Sequence, residues 1–316
     1  MNKHLLPNKA FILCAGKGER LMPITYSIPK PLLPFWSESI IDRTIKTLRS
    51  WGVTEILINI SYMADKIFCH VKEKFKTSGI KFSFSFEPYP LGTGGALKHA
   101  QWFINDSPFW LVNSDIIMDI SPSCFSQNSH SDALAVVWVT QSAGPRTVTI
   151  ENGKIASFSK GNPTMKNAFT LCGLHLIKPD IQNYFDNLSC FSIVHTYEKA
   201  IRNEKTINAV NPPNVFWADL GTPRNYLDEH FRFLEWNLRR YPSIKHKRNL
   251  CPIDPSAVIM QGAVIEHSIV MGNAQIGPNG VLKNAIVLPT VRINKPTQGI
   301  NMAAHHISPI LEKAFC

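Results

Sequence analysis

Two periods of apolar residues alternate along the first 240 positions. Residues 10–13 are an apolar run that feeds directly into a turn carrying Gly16 and Gly18. Ile41, Ile45, Leu48 and Trp51 then recur at helical spacing, with Ser37 as a candidate cap and Gly52 as the stop. Residues 55–60 (EILINI) read as a strand. Ile67, Val71 and Phe75 mark a second helix ending near Gly79, and residues 81–86 (KFSFSF) alternate as a strand does. A glycine turn at 92–95 precedes a helix marked by Ala96, Leu97, Ala100 and Phe103. Residues 109–114 (FWLVNS) and 133–140 read as buried strands. Residues 147–158 form a hairpin pattern that turns at Asn152-Gly153, the two-residue signal for strand reversal. Inserted into a parallel sheet, that hairpin predicts a lid. A strand follows at 171–177, and another from 215 runs up to a helix opening at Pro223 and capped by Thr222. Alternation of this kind predicts an α/β fold: a Rossmann-like, mainly parallel mixed sheet with helices on both faces.

The period changes at residue 253. Val258, Val264, Val270, Ile276, Leu282 and Leu288 fall every six residues, with Ala257, Ala263 and Ala274 beside them and Gly262, Gly272, Gly277 and Gly280 between. A six-residue repeat is the mark of a parallel β-helix. The chain of 316 residues therefore divides into 1–240, a basic linker at 241–252, and a repeat tail at 253–316 that is a candidate surface for homo-oligomers.

Composition narrows the partners. The net charge of +10, from 33 basic and 23 acidic residues, favours anions. Basic residues are dispersed except near 239–248, and no nucleic-acid module is present, so a small phosphorylated ligand fits better than nucleic acid. No apolar run approaches the roughly 20 residues of a membrane span. Seven scattered cysteines without a CxxC pair, and no secretory leader, point to reduced thiols in a cytoplasm. No His/Cys cluster has metal-ligand spacing, and the 11 histidines read as packing or surface residues.

The candidate chemistry sits in residues 13–34. A strand ending in a glycine turn exposes backbone N–H groups, and Lys17, Arg20 and Lys30 follow within one loop, an arrangement suited to a phosphate ester. Pro29 and Pro31 flank Lys30 and predict a stiff, extended segment that places its ammonium. The spacing excludes a Walker loop, and Leu21 stands where a dinucleotide fingerprint needs its third glycine. Gly92, Gly94 and Gly95 in EPYPLGTGGAL allow a backbone to come close to a flat ligand. Asp115 directly follows a buried strand; taken alone, such an aspartate is also a turn residue or a helix cap.

The pattern L-x-A-G-x-G-x-R-L-x-P-x-T-x-x-x-P-K-P-L, met here at Leu13, Ala15, Gly16, Gly18, Arg20, Leu21, Pro23, Thr25, Pro29, Lys30, Pro31 and Leu32, resembles the signature of the sugar-1-phosphate nucleotidyltransferases. The segment from Glu87 resembles their E-x-P-L-G-T-A/G-G element, Asp115 their metal-binding aspartate, and 217–223 their W-x-D-x-G-T-P element. The resemblance implies a transferase joining an NTP to a sugar 1-phosphate with Mg²⁺ and releasing pyrophosphate. It implies Arg20, Lys30 and Asp115 as catalytic residues and Asp115 with Asp219 as metal ligands. It implies Leu13, Ala15, Gly16, Lys17, Gly18, Glu87, Gly92, Thr93 and Gly94 at the nucleotide, and Asn113, Lys160 and Gly173 at the sugar phosphate. The Glu-Lys-Pro expected before the last strand is replaced by residues 159–163 (SKGNP), which keep Lys160 and lack the glutamate. PLGTGGAL is similar to members using GTP with mannose 1-phosphate or a related sugar, whereas GKGER and the FWADLGTP ending also fit uridylyl- or thymidylyltransferases. The tail resembles the left-handed hexapeptide tail of such enzymes, of about 18 residues per coil. Two readings of other classes are a non-catalytic sugar-nucleotide sensor, disfavoured because Arg20, Lys30, Asp115 and Asp219 are all present, and an acyltransferase, disfavoured by a tail of two coils.

Overall fold

The computed structural model describes residues 6–126, 132–158, 165–241, 250–298 and 302–303. Most of the linker and the stretch 159–164 that includes Lys160 lie outside them. Two compact units divide the chain: Met1–Gly18, Pro29–Leu32 and Ile40–Asp219 make the first, and Glu19–Ile28, Leu33–Ser39 and Leu220–Cys316 the second.

In chain order, β1 (Lys9–Leu13) precedes a small hairpin of β2 (Pro34–Phe35) and β3 (Glu38–Ser39). Then come α1 (Ile40–Ser50), β4 (Glu55–Ile60), α2 (Ala64–Lys74), β5 (Lys81–Phe86), α3 (Gly92–His99) and the single turn α4 (Gln101–Ile104). They are followed by β6 (Phe109–Asn113), β7 (Ile116–Asp119), α5 (Ser123–Ser126), β8 (Ala135–Thr140), β9 (Val148–Glu151), β10 (Lys154–Ser157) and β11 (Ala168–Ile177). The last elements before the tail are α6 (Ile193–Arg202), β12 (Ile207–Val210), β13 (Phe216–Asp219) and α7 (Pro223–Arg240).

The first unit is built on a nine-stranded sheet in the order β5-β4-β1-β6-β11-β8-β12-β10-β9. The run β5-β4-β1-β6 is parallel. β11 is antiparallel to both β6 and β8, and β12 runs parallel to β8, so the sheet is mixed. Side chains alternate across β1 as a strand requires. Ala10 and Ile12 pack with Ile41, Ile45 and Leu48 of α1 and Ile67 and Val71 of α2. Phe11 packs on the other face with Ala96 and Leu97 of α3 and Ile193, Tyr197 and Ala200 of α6. Helices thus cover both faces, and each aliphatic side chain fully buried this way contributes about 1.5–3 kcal/mol.

Several boundaries differ from the sequence pattern. Ser37 lies in the turn between β2 and β3, and α1 starts at Ile40 without it. α2 stops at Lys74, where the Phe75 N–H closes on the Val71 carbonyl. α3 begins at Gly92 rather than Ala96, because the N–H groups of Gly94 and Gly95 in its first turn both find the Phe191 carbonyl, at 2.9 and 3.2 Å. The β9–β10 hairpin turns at Asn152 and Gly153, both at positive φ (49° and 74°), as the Asn-Gly pair predicts. It is not a separate lid: β10 pairs with β12 and β9 with β11, which extends the sheet.

The second unit joins α7 to the β2–β3 hairpin and to the tail. Thr222 caps α7 by accepting the Asn225 N–H at 3.2 Å. Phe35 lies 4.3 Å from the His230 ring, Trp36 Nε1 donates to the His230 carbonyl at 3.1 Å, and the Tyr226 hydroxyl donates to the Pro34 carbonyl. Phe231 stacks on His267 at 3.9 Å. The tail strands β14 (Val258–Ile259), β15 (Val264–Glu266), β16 (Ile269–Val270), β17 (Gln275–Ile276), β18 (Val281–Lys283), β19 (Ile286–Val287), β20 (Arg292–Ile293), β21 (Thr297–Gln298) and β22 (Met302–Ala303) form three parallel three-stranded sheets. Val258 pairs with Gln275 and Gln275 with Arg292, a step of 17 residues rather than 18. One spacing in each coil is therefore five residues, and the inward column passes through Ile265, Val270, Ile276, Leu282, Val287 and Ile293. Val258 and Val264, which a strict period of six turns inward, are 49% and 41% exposed. Leu288 likewise yields its inward place to the fully buried Val287.

One buried polar pair gives the first unit a pH limit. His175 of β11 meets the Tyr197 hydroxyl at 2.7 Å, and burial pushes its imidazole down to about 3 from an ordinary 6.5. The unfolded chain binds the proton first, so this contribution is whole above about pH 6.5 and is lost as pH falls from there toward 3, by up to about 1.4 kcal/mol per pH unit. Thermal unfolding at pH 7 and pH 5 should show a smaller acid loss in His175→Asn than in the wild type; equal losses would contradict the assignment.

Candidate active site

β1 lies between β4 and β6 with Leu13 opposite Asn59 on one side and Asn113 on the other. The three strands end together, and the loops that follow them gather at the carboxyl edge, where open α/β sheets bind ligands. The Ser114 N–H donates to the Leu13 carbonyl at 3.3 Å and draws the loop after β6 toward the end of β1.

The first loop carries the phosphate-binding candidates. Cys14 and Ala15 are buried, and burial pushes the Cys14 thiol up to about 12, which suits a packing residue and not a nucleophile. A methyl group built on Gly16 would meet nothing within 4 Å, and its φ is not in the left-handed region. The fold does not demand glycine there, and the space above that backbone is open. Lys17 is exposed, and Gly18 turns the chain at φ 68°. Arg20 is an exposed residue of the 3-10 turn Glu19–Leu21, which belongs to the second unit.

Lys30 is not on an extended segment. It opens a 3-10 turn, Lys30–Leu32, closed by the Leu32 N–H on the Pro29 carbonyl at 2.8 Å, a bond that needs nothing from the missing N–H of Pro31. The turn still fixes the lysine, whose Nζ lies 2.7 Å from Asp115 Oδ2 with only 11% of its side chain exposed. Asp115 occupies the turn between β6 and β7. β7 pairs antiparallel with β13, which sets Asp219 opposite Ile116, next in sequence to Asp115. Asp219 thus ends the strand that pairs with β7, one register step from Asp115, whose carboxylate holds the Lys30 ammonium. Gly173 lies in the irregular stretch of β11 at φ 76°, where a Cβ would come within 2.7 Å of the Asn113 amide. Trp217 Nε1 donates to the Cys172 carbonyl at 2.8 Å and holds that stretch against β13. Asn113, Gly173, Asp115, Asp219 and Lys30 are therefore brought together. Lys160 lies outside the described residues.

The second loop, from Glu87, is buried at its start. Glu87 is 1% exposed; its Oε1 accepts from Asn59 Nδ2 at 2.8 Å and its Oε2 from the Leu91 N–H at 2.9 Å. The glycines here have a partner inside the chain: a Cβ on Gly94 would lie 2.4 Å from the Phe191 ring, and one on Gly92 2.6 Å from the Phe191 carbonyl oxygen. Thr93 Oγ1 accepts the Ile193 N–H at 2.8 Å, at the start of α6. Close approach is what these glycines provide, and segment 189–193 receives it. Asn59 was not legible as a site residue; its only mark in the sequence is an amide near the end of an otherwise apolar strand.

The nucleotidyl transferase family's sequence model matches residues 9–235, most of the chain and all of the strands described above up to β13. The chain belongs to the nucleotidyl transferases. The mannose-1-phosphate guanyltransferase beta-A of Xenopus laevis is 30% identical over 246 residues, covering 75% of this chain and 68% of that protein. A probable mannose-1-phosphate guanylyltransferase 1 of Oryza sativa subsp. japonica is 29% identical over 301 residues, 92% of this chain and 80% of that one. These relatives place the transferase among the sugar-1-phosphate nucleotidyltransferases. A crystal structure of a putative glucose-1-phosphate thymidylyltransferase from Bacillus anthracis shares the fold, with a TM-score of 0.61 at 20% identity, over 70% of this chain and 93% of that one.

The two kinds of glycine separate by experiment. In this transferase Gly16→Ala should leave the free energy of unfolding within about 0.5 kcal/mol of the wild type, while Gly94→Ala should lose about 1–3 kcal/mol by overpacking on Phe191. Equal losses in denaturant titrations would show that Gly16 serves the fold.

Proposed function

We propose that the enzyme joins GTP to mannose 1-phosphate, or a closely related sugar 1-phosphate, to give a GDP-sugar and pyrophosphate. The observation that carries this reading is the Lys30–Asp115 contact at the carboxyl edge of β6, with Asp219 on the neighbouring ladder and the open backbone of Gly16 at the end of β1. The guanylyltransferase relatives support the choice of base and sugar.

A phosphate oxygen of the sugar 1-phosphate attacks the α-phosphorus of the nucleotide. The bond to the bridging oxygen breaks, and pyrophosphate leaves opposite the attacking group. A phosphate monoester is already nucleophilic, so no covalent intermediate on the protein and no strong base is needed. The obstacle is the approach of two anions, which is met by alignment and fixed charge. Lys30 offsets charge at the α-phosphate. Its ammonium has three protons, so it can keep Asp115 and still donate to a phosphate oxygen. Arg20, Lys17 and the backbone N–H groups of residues 15–18 take the departing phosphates. Leu13 and the loop of Gly92, Thr93 and Gly94, held at its root by the buried Glu87, meet the nucleoside, and Asn113, Gly173 and Lys160 the sugar phosphate.

Asp115 and Asp219 would hold Mg²⁺. Among the described residues no group of three or more His, Cys, Asp or Glu forms a self-contained metal site. A pair of carboxylates is nonetheless the donor set Mg²⁺ takes when substrate phosphates complete its shell. Bound there, the ion would supply positive charge to the phosphate oxygens.

The same reading treats residues 1–240 as the catalytic domain, 241–252 as a linker and 253–316 as a left-handed parallel β-helix, supported by three parallel sheets whose first two rungs each lie 17 residues apart. The tail is the candidate surface for self-association. No described helix is long and apolar enough to cross a membrane, and a cytoplasmic setting accords with seven scattered cysteines.

Pyrophosphate release with Mg²⁺, measured for each NTP against common sugar 1-phosphates, tests the reading. The strongest activity is expected with GTP and mannose 1-phosphate. Activity confined to UTP or dTTP would overturn the base, and binding without turnover would favour a sensor. Lys30→Ala and Asp115→Ala should each lower kcat by about 10²–10³; rates within a few-fold of wild type would reject their roles.

A further inference from the structure

Asn59 has no part in the chemistry above, yet its side chain links the two loops assigned to the nucleotide. It is 3% exposed at the carboxyl end of β4. Its Oδ1 accepts the Cys14 N–H at 2.7 Å, at the root of the phosphate loop. Its Nδ2 donates to Glu87 Oε1 at 2.8 Å, and the other oxygen of Glu87 accepts the Leu91 N–H at 2.9 Å, at the root of the glycine loop. Main chain, amide, carboxylate and main chain form one buried line of hydrogen bonds. The Glu87 N–H, bonded to the Ile60 carbonyl at 2.9 Å, fixes the carboxylate's own backbone to β4.

We propose that Asn59 is a positioning residue: its amide sets the separation of the phosphate loop and the glycine loop, so that triphosphate and nucleoside are bound as one piece. The proposal rests on the reading of these loops given under Proposed function. The chemistry of the position is narrow. A planar amide offers an acceptor and a donor on opposite sides, which is what an N–H on one side and a carboxylate on the other require. An apolar residue of the same size would leave the Cys14 N–H and the Glu87 carboxylate buried without their partner. Aspartate would keep the acceptor for Cys14 and set two carboxylates against each other at the distance of a hydrogen bond.

The donor and the acceptor can be exchanged. In Asn59→Asp combined with Glu87→Gln, the Gln amide donates to the aspartate, its carbonyl oxygen accepts the Leu91 N–H, and the aspartate still accepts the Cys14 N–H. The buried pair keeps a single negative charge, moved across one bond. A residue that touched the nucleoside through its charge would not survive this exchange, whereas a line that only sets loop separation would.

The test measures GTP affinity by calorimetry, or that of whichever NTP the wild type turns over, alongside kcat at saturation and the KM for the sugar 1-phosphate. Asn59→Asp should weaken nucleotide binding at least tenfold, with kcat and the sugar-phosphate KM within about threefold of wild type. The double variant should return nucleotide affinity to within about fivefold. A double variant no better than Asn59→Asp, or an Asn59→Asp that lowers kcat with unchanged nucleotide affinity, would overturn the proposal. Where Asn59→Asp does not fold, the double variant decides by itself: affinity within fivefold upholds the line, and a larger loss overturns it. A wild type that binds nucleotide without turnover strikes the proposed reaction and leaves the affinity comparison to judge Asn59.

Discussion

The parallel pairing of β1 with β4 on one side and β6 on the other is the constraint from which the site follows. It places Leu13, Asn59 and Asn113 in one register row, so three chain segments distant in sequence end at one edge. Each strand end then supplies a different part of the site. The loop with Gly16 and Gly18 leaves from β1, the route to Asp115 leaves from β6, and β4 carries Asn59 one residue before its end. A slip of one residue in β1 would turn Phe11 to the α1 and α2 side and Ile12 to the α3 and α6 side, so the two cores hold the register that the site needs.

Charge at that edge is arranged before any ligand arrives. The Lys30–Asp115 contact is formed by a rigid turn and a strand end, and both side chains are largely withdrawn from water. A cation fixed in this way loses little freedom when a phosphate reaches it, and solvent screens it less than a surface lysine. The irregular stretch of β11 at Gly173 adds the space for Asn113, and Trp217 keeps that stretch in place.

Much of this was legible in the sequence because local chemistry dictated it. The strands at 55–60 and 81–86, the Asn-Gly hairpin and the Thr222 cap are set by neighbours within a few residues, and the structure has them as the pattern implies. The run 13–32 identified the family by itself. What the pattern missed depends mostly on contacts remote in sequence. That Gly92, Gly94 and Gly95 also admit segment 189–193, about a hundred residues on, into the space a Cβ would take has no local mark. The segment around Lys30 reads as extended from its prolines, but a 3-10 turn needs only the one bond that proline leaves available. The tail's period slips from six to five once per coil, which a strict repeat cannot show and the pairing of Val258 with Gln275 does. Asn59 gives no local signal, because its partners are 45 residues before it and 28 after it.

The most direct measurement is a crystal structure of the full chain with Mg²⁺ and a non-hydrolysable GTP analogue. The account predicts the triphosphate over the backbone of residues 15–18, with an α-phosphate oxygen within hydrogen-bond distance of Lys30 Nζ and the nucleoside against the loop from Glu87. A nucleotide whose triphosphate lies away from that loop, or whose α-phosphate has no contact with Lys30, would contradict it.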